Sequence, residues 1–228
     1  MKKENIEIQK TLLDIDYQGN TLFPIFVKLH QIDTLVVGGG NVGLEKLEAI
    51  LRNSPEAKVT LVAGLIREEI KILTASHPRV ELIERDFEWA DLDNRNLIIL
   101  ATDNKQLHVE IKAKTEVLGI LTNVADTPDL CDFYLSSVVK KGDLKVAIST
   151  NGKSPTLAKR MRAYLEESLP DDIQELLDNL YDIRNQLKGD FQEKIKQLNH
   201  VTKGLKVTSP SQKKKNTFGF IKRLYTFK

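Results

Sequence analysis

Three groups of residues in this chain have the types and spacing to do chemistry. The first is Gly38-Gly39-Gly40-Asn41-Val42-Gly43, a G-x-G-x-x-G run. Gly38 would permit a tight turn, Gly40 would let the backbone approach a pyrophosphate with no Cβ in the way, and Gly43 would let a helix pack closely on a strand. Backbone N–H groups at a helix start around Asn41 and Val42 would attract the phosphate charge. An ordinary glycine turn is the bland alternative, and a strand before and a helix after the run argue against it. The second group is Ala101-Thr102-Asp103, whose small and hydroxyl side chains would flank the nicotinamide half of a bound dinucleotide. Asp103 could equally be the N-cap of a following helix, and its position favours that role for its side chain. The third runs from Asn123 to Tyr134 as N-V-A-D-T-P-D-L-C-D-F-Y. It sets polar groups at the end of a strand expected to be buried, where a carboxylate costs free energy unless it is paired or used.

One part of the dinucleotide fingerprint is missing. An acidic residue is expected about 20 residues after the glycines, at the end of the second strand, and the chain there reads Val62-Ala63-Gly64-Leu65. Backbone groups of Gly64 and Leu65 would then have to position the ribose. Arg67 could meet a 2′-phosphate, but as a lone arginine it reads as a solvated residue at a helix start. NAD is therefore preferred to NADP.

The elements that must position these groups follow from the hydropathy pattern. Phe23, Ile25, Val27 and Leu29 alternate as in a short strand, and Thr34–Val37 is a β-branched run halted by glycine. Val42, Leu44, Leu47, Ile50 and Leu51 then share one side of a helix that stops near Pro55. Strands at 59–63, 80–83, 97–101 and 121–124 alternate with helices at 67–75 and 105–117. This implies βαβ units and a parallel sheet of Rossmann type, with all three groups on the edge formed by the strands' carboxyl ends. After Pro128, two strand-like runs at 133–139 and 144–149 are joined by Lys140-Lys141-Gly142-Asp143, a good hairpin turn. They read as an antiparallel extension suited to pairing with a second chain. From Ser154 to about Leu205 the pattern is helical.

Composition narrows the function classes. The 228 residues hold 34 basic and 32 acidic side chains, a net charge of +2, so there is no electrostatic case for a nucleic-acid binder. The segment 206–228 carries seven basic residues and no acid, and the remaining 27 basic against 32 acidic residues leave a body of about −5. One cysteine, Cys131, allows no internal disulfide and fits a reducing compartment. No apolar run reaches the roughly 20 residues of a membrane span, and the first residues lack a signal peptide's apolar stretch. A cytoplasmic protein is expected. Cys131 and His30, His77, His108 and His200 show no metal-ligand spacing, so no resident metal is expected. Cys131 is read as packing beneath the hairpin strands rather than as a nucleophile. The tail mixes aromatic and basic groups, and no function is assigned to it.

The order G-G-G-N-V, then A-T-D, then N-V-A-D-x-P-D-L-C-D-F-Y, then A-I-S-T-N-G-K-S-P-T-L-A-K-R-M-R resembles the precorrin-2 dehydrogenase/sirohydrochlorin ferrochelatase family, the siroheme-synthase module, over about Leu22 to Pro170. The resemblance implies a homodimer that oxidises precorrin-2 to sirohydrochlorin with NAD⁺, with iron insertion in bifunctional members. Fe²⁺ and the tetrapyrrole are then the partners. It makes Asp126 the match to the family's essential aspartate, able to take a proton near the cofactor. A turn-forming residue before Thr127-Pro128 is the structural alternative. Ser149-Thr150-Asn151-Gly152-Lys153-Ser154-Pro155 matches the family's serine- and glycine-rich loop, with Thr150 where a second serine is common. Asn123, Thr150, Lys153 and Ser154 become candidate substrate contacts, although Ser154 as a helix cap explains part of the pattern. Lys159, Arg160 and Arg162 suit a substrate with many carboxylates, or equally a solvated helix face. The resemblance implies an NAD-binding domain at 22–130, a dimerisation region at 131–153 and a helical domain at 154–205, while the polar start reads as an arm at 1–21 and the charged end as a basic tail at 206–228. The rivals left open are a dehydrogenase without chelatase activity and a non-catalytic protein that binds dinucleotide or tetrapyrrole.

Overall fold

The computed structural model describes residues 19–186 and 192–196. Most of the N-terminal arm, the end of the helical region and the basic tail lie outside the described residues. The described chain divides into two compact units, one of residues up to 136 with 149–155, the other of residues 137–148 with those from 156 onward.

In the first unit, five parallel strands are described: β1 (Thr34–Val37), β2 (Val59–Ala63), β3 (Val80–Glu84), β4 (Leu97–Leu100) and β5 (Leu121–Val124), in the order β3-β2-β1-β4-β5. β1, β2 and β4 are buried along their whole length, as strands covered on both faces must be. Alternate residues serve opposite faces. Val36, Leu61 and Ile99 join Leu47, Ile50 and Leu51 of helix α1 (Asn41–Asn53) and Ile70 of α2 (Glu68–Thr74) in one core. Leu35, Val37, Val62, Ile98 and Leu100 join Ile111 of α3 (Lys105–Leu118) in the other. The register sets Val37 beside Val62 on one side and Leu100 on the other. The carboxyl ends of β1, β2 and β4 therefore come level at one edge, where the strand order reverses between β1 and β4.

Two local expectations are corrected. Residues 22–29 form no strand. Pro24 cannot donate to a ladder, Phe23, Ile25 and Phe26 are exposed, and only Leu29 reaches the core. The first strand-like run after Pro128 begins at Ser137, not Phe133, because the Phe133 carbonyl is taken by Asn123 Nδ2 at 2.8 Å and its ring packs on the sheet core.

The second unit holds the antiparallel hairpin β6 (Ser137–Lys141) and β7 (Leu144–Ile148), with Val139 opposite Val146, and helices α4 (Pro155–Ser168) and α5 (Ile173–Gln186). Gly142 turns the hairpin at φ 56°. The helical region expected from Ser154 divides after Ser168, where Pro170 cannot continue a helix. Lys141 Nζ donates to Leu169 O at 2.7 Å and pairs with Asp171 at 2.6 Å, and Gln174 Oε1 accepts the Asp143 N–H at 2.7 Å. These bonds tie the hairpin to the link between α4 and α5. Among the described residues no helix is long and apolar enough to cross a membrane.

Candidate active site

A cleft of about 860 Å³ opens at the carboxyl ends of the strands, within the size range of small-molecule sites. Gly38, Gly40, Asn41 and Val42 line it with Gly64, Leu65, Thr102, Asp103 and Asp126. Gly38 holds φ 120°, and a Cβ there would stand 2.5 Å from the Ala101 carbonyl oxygen, so no other residue fits between β1 and β4. Gly43 does not face the cleft. A Cβ on it would stand 2.1 Å from Gly38 O, and its role is the close packing of α1 beneath the turn. Beyond its own chain neighbours, Gly40 has no atom of the described residues within 4 Å of its Cβ position. It is also the N-cap of α1 and supplies no side-chain bond to the helix start. Bare N–H groups, an open approach and no first-turn acid fit the pyrophosphate of a dinucleotide.

The Thr102 hydroxyl lies 2.8 Å from His108 Nε2 and 3.4 Å from the Asn104 N–H. His108 is buried, and its Nδ1 has no partner among the described residues. Burial pushes its pKa down despite the nearby Asp103 charge, so the ring is neutral. An unmet lone pair costs less than an unmet N–H, so the proton belongs on Nε2, donating to Thr102. Thr102 then accepts from two donors and its own proton is free for a ligand. The cap of α3 is Asn104, whose Oδ1 accepts the Leu107 N–H at 3.0 Å. That corrects the assignment of the cap to Asp103, whose side chain is left to the cleft.

Asp126 follows β5 with φ 57°, a left-handed conformation that Asp tolerates better than most residues. It is exposed to the cleft, which corrects the expectation of a carboxylate under burial strain. Its side chain makes no hydrogen bond or ion pair with the described residues. A side-chain turn onto the residue two ahead has no donor, because that residue is Pro128. Asn123, by contrast, is buried and spends its amide on Phe133 O. Cys131 lies against the end of β5, with Sγ 3.2 Å from both the N and O of Val124. Burial pushes its thiol pKa up, leaving it unreactive. Asp132 pairs with Lys112 at 2.6 Å and accepts the Thr122 N–H at 2.9 Å. The 123–132 motif thus builds a rigid support, and Asp126 alone of its carboxylates lines the cleft.

Thr150, Lys153 and Ser154 form a separate loop, in which Thr150 Oγ1 accepts the Ser154 N–H at 3.2 Å, and they do not line the cleft. On α4, Lys159 and Arg160 are exposed, while Arg162 is 3.6 Å from Glu166. Among the described residues no three of His, Cys, Asp and Glu form a metal-holding group. Sequence reasoning missed Asp86, Phe87, Asn104 and Leu107, all of which line the cleft. Asp86 and Phe87 follow β3 directly, so the rule that ligands bind at the strands' carboxyl ends could have found them.

A family model described as NAD(P)-binding matches residues 25–137, and one described as sirohaem biosynthesis protein central matches residues 141–168. The chain belongs to the siroheme-synthase family. A siroheme synthase of Psychrobacter arcticus is 37% identical over 173 residues, covering 76% of this chain and 30% of the relative. One from Ruthia magnifica subsp. Calyptogena magnifica is 34% identical over 174 residues, covering 76% and 34%. The chain therefore spans about a third of the length of the curated siroheme synthases it matches. The solved precorrin-2 dehydrogenase SirC superposes with a TM-score of 0.66 at 22% identity, over 90% of this chain and 100% of that one, a likeness of fold. The G-x-G-x-x-G cleft lies within the stretch matched as NAD(P)-binding, so this siroheme-synthase module uses a nucleotide cofactor.

Proposed function

We propose that this chain oxidises precorrin-2 to sirohydrochlorin with NAD⁺ and that the same site inserts Fe²⁺ to give siroheme. The observation that carries the reading is an unpaired carboxylate, Asp126, in one cleft with a bare helix start and a glycine loop. Bound NAD⁺ supplies the hydride acceptor, and the macrocycle must also lose a proton. Asp126 is the group to take it, with no partner among the described residues competing for its oxygens. Gly38, Gly40, Asn41, Val42, Gly64 and Leu65 seat the dinucleotide, Gly43 holds the turn that presents it, and Thr102 and Asp103 flank the nicotinamide half. Metal insertion requires the loss of two pyrrole protons, a task the same carboxylate can serve, with Fe²⁺ as substrate.

Thr150, Lys153 and Ser154 supply hydroxyl and cationic groups suited to a substrate rich in carboxylates. Asn123 acts by holding the loop that carries Asp126. The β6–β7 hairpin is the pairing surface of a homodimer, and the protein works in the cytoplasm. The test is anaerobic turnover of enzymatically generated precorrin-2 with NAD⁺, followed by absorbance, with Fe²⁺ added afterwards. Sirohydrochlorin formation and iron insertion faster than an enzyme-free control are expected. Oxidation without accelerated insertion leaves a dehydrogenase alone, and neither step with folded protein refutes the reading.

A further inference from the structure

The end of β2, where a Rossmann site usually carries its ribose-binding acid, holds Gly64, and the space its side chain would fill is not vacant. A Cβ on Gly64 would stand 2.5 Å from Asp86 Oδ1 and 3.5 Å from Asp86 Cγ. Asp86 belongs to the segment following the adjacent strand β3, and it lines the same cleft as the glycine loop, Gly64 and Leu65. We infer that Asp86 is the carboxylate that receives the adenosine ribose and selects NAD over NADP, reaching from β3 into the room left by Gly64.

The neighbouring ionic groups are committed elsewhere. Glu84 accepts the Ile66 N–H at 3.1 Å and pairs with Lys71 at 3.0 Å. Arg85 forks onto Asp91 at 2.7 and 2.8 Å, and Arg67 pairs with Glu69. The two arginines closest in sequence to a 2′-phosphate site are thus both neutralised by their own partners. The Asp86 carboxylate makes no hydrogen bond or ion pair with the described residues, so both of its oxygens can accept from a ribose diol. An ionised carboxylate at that point also repels a 2′-phosphate, so one group gives both attraction and exclusion.

This inference rests on the dinucleotide reading of the cleft, and calorimetric titration of the full chain with NAD⁺ and with NADP⁺ separates the two. Wild type is expected to bind NAD⁺ more tightly than NADP⁺. In Asp86→Asn, NAD⁺ binding should weaken by about tenfold, the loss of a charge-assisted bond, while NADP⁺ binding holds or improves. Asp86 is exposed and carries no side-chain bond to the described residues, so the melting temperature should not move. Gly64→Ala, whose Cβ needs the carboxylate's space, should lower the NAD⁺/NADP⁺ ratio in the same direction. A wild-type ratio retained in Asp86→Asn overturns the inference and leaves the dinucleotide site standing. Wild type that binds neither nucleotide overturns the dinucleotide reading and the inference with it.

Discussion

Replacing Asp126 by asparagine removes one charge and almost nothing else. The residue sits at φ 57°, a conformation that Asn adopts as readily as Asp, and the carboxylate is exposed with no partner among the described residues to lose. Asp126→Asn should therefore fold and melt like wild type and bind NAD⁺ equally well. Without its base the oxidation should slow by about 10²- to 10⁴-fold, the range of general base catalysis. Asp126→Ala is the less clean variant, because alanine at positive φ costs about 1 kcal/mol, about 3 °C in melting temperature for a unit of this size. The assay pairs anaerobic single-turnover oxidation of precorrin-2 with nucleotide titration and a thermal melt on the same preparation. Wild-type turnover in Asp126→Asn would refute the assignment of Asp126 as the base.

His108→Leu should cost roughly 1 kcal/mol in NAD⁺ binding, about fivefold, by freeing the Thr102 hydroxyl to rotate. His108→Gln, whose amide N–H can replace Nε2–H at 2.8 Å, should restore it, and equal losses in both variants, read by titration, would sink this role. Asp91 is buried, bridges Arg85 and accepts the Glu88 N–H at 2.9 Å, and the Arg85 guanidinium holds its carboxyl below the usual range. Its contribution is therefore full above the unfolded carboxyl pKa, near ~3.9, and is lost as pH falls through the lower folded value. Because the Arg85 side chain is 37% exposed, Asp91→Asn should cost only about 2 kcal/mol at pH 7. The gap between wild-type and variant melts should close in acid below the carboxyl range, and a gap unchanged there would refute the linkage.

Much of this protein is legible in its residues because the signals are local. A β-branched run, a glycine turn and an amphipathic helix are each specified within a few positions, and their repetition implies a parallel sheet whose ligand edge must carry Gly38, Thr102 and Asp126. Residues 22–29 show where local pattern fails. Their alternation matches a strand, but a strand exists only with a hydrogen-bonding neighbour, and Pro24 with exposed flanks leaves it none. The cap of α3 moved by one residue, from Asp103 to Asn104, because either side chain satisfies the pattern and only the path of the backbone chooses. Asp86 depended most on the fold. It lies 22 residues beyond Gly64 in the chain, and no spacing rule joins the two. Parallel pairing of β2 with β3 puts Glu84 beside Ala63, and that register alone carries the next carboxylate into the space that Gly64 leaves open.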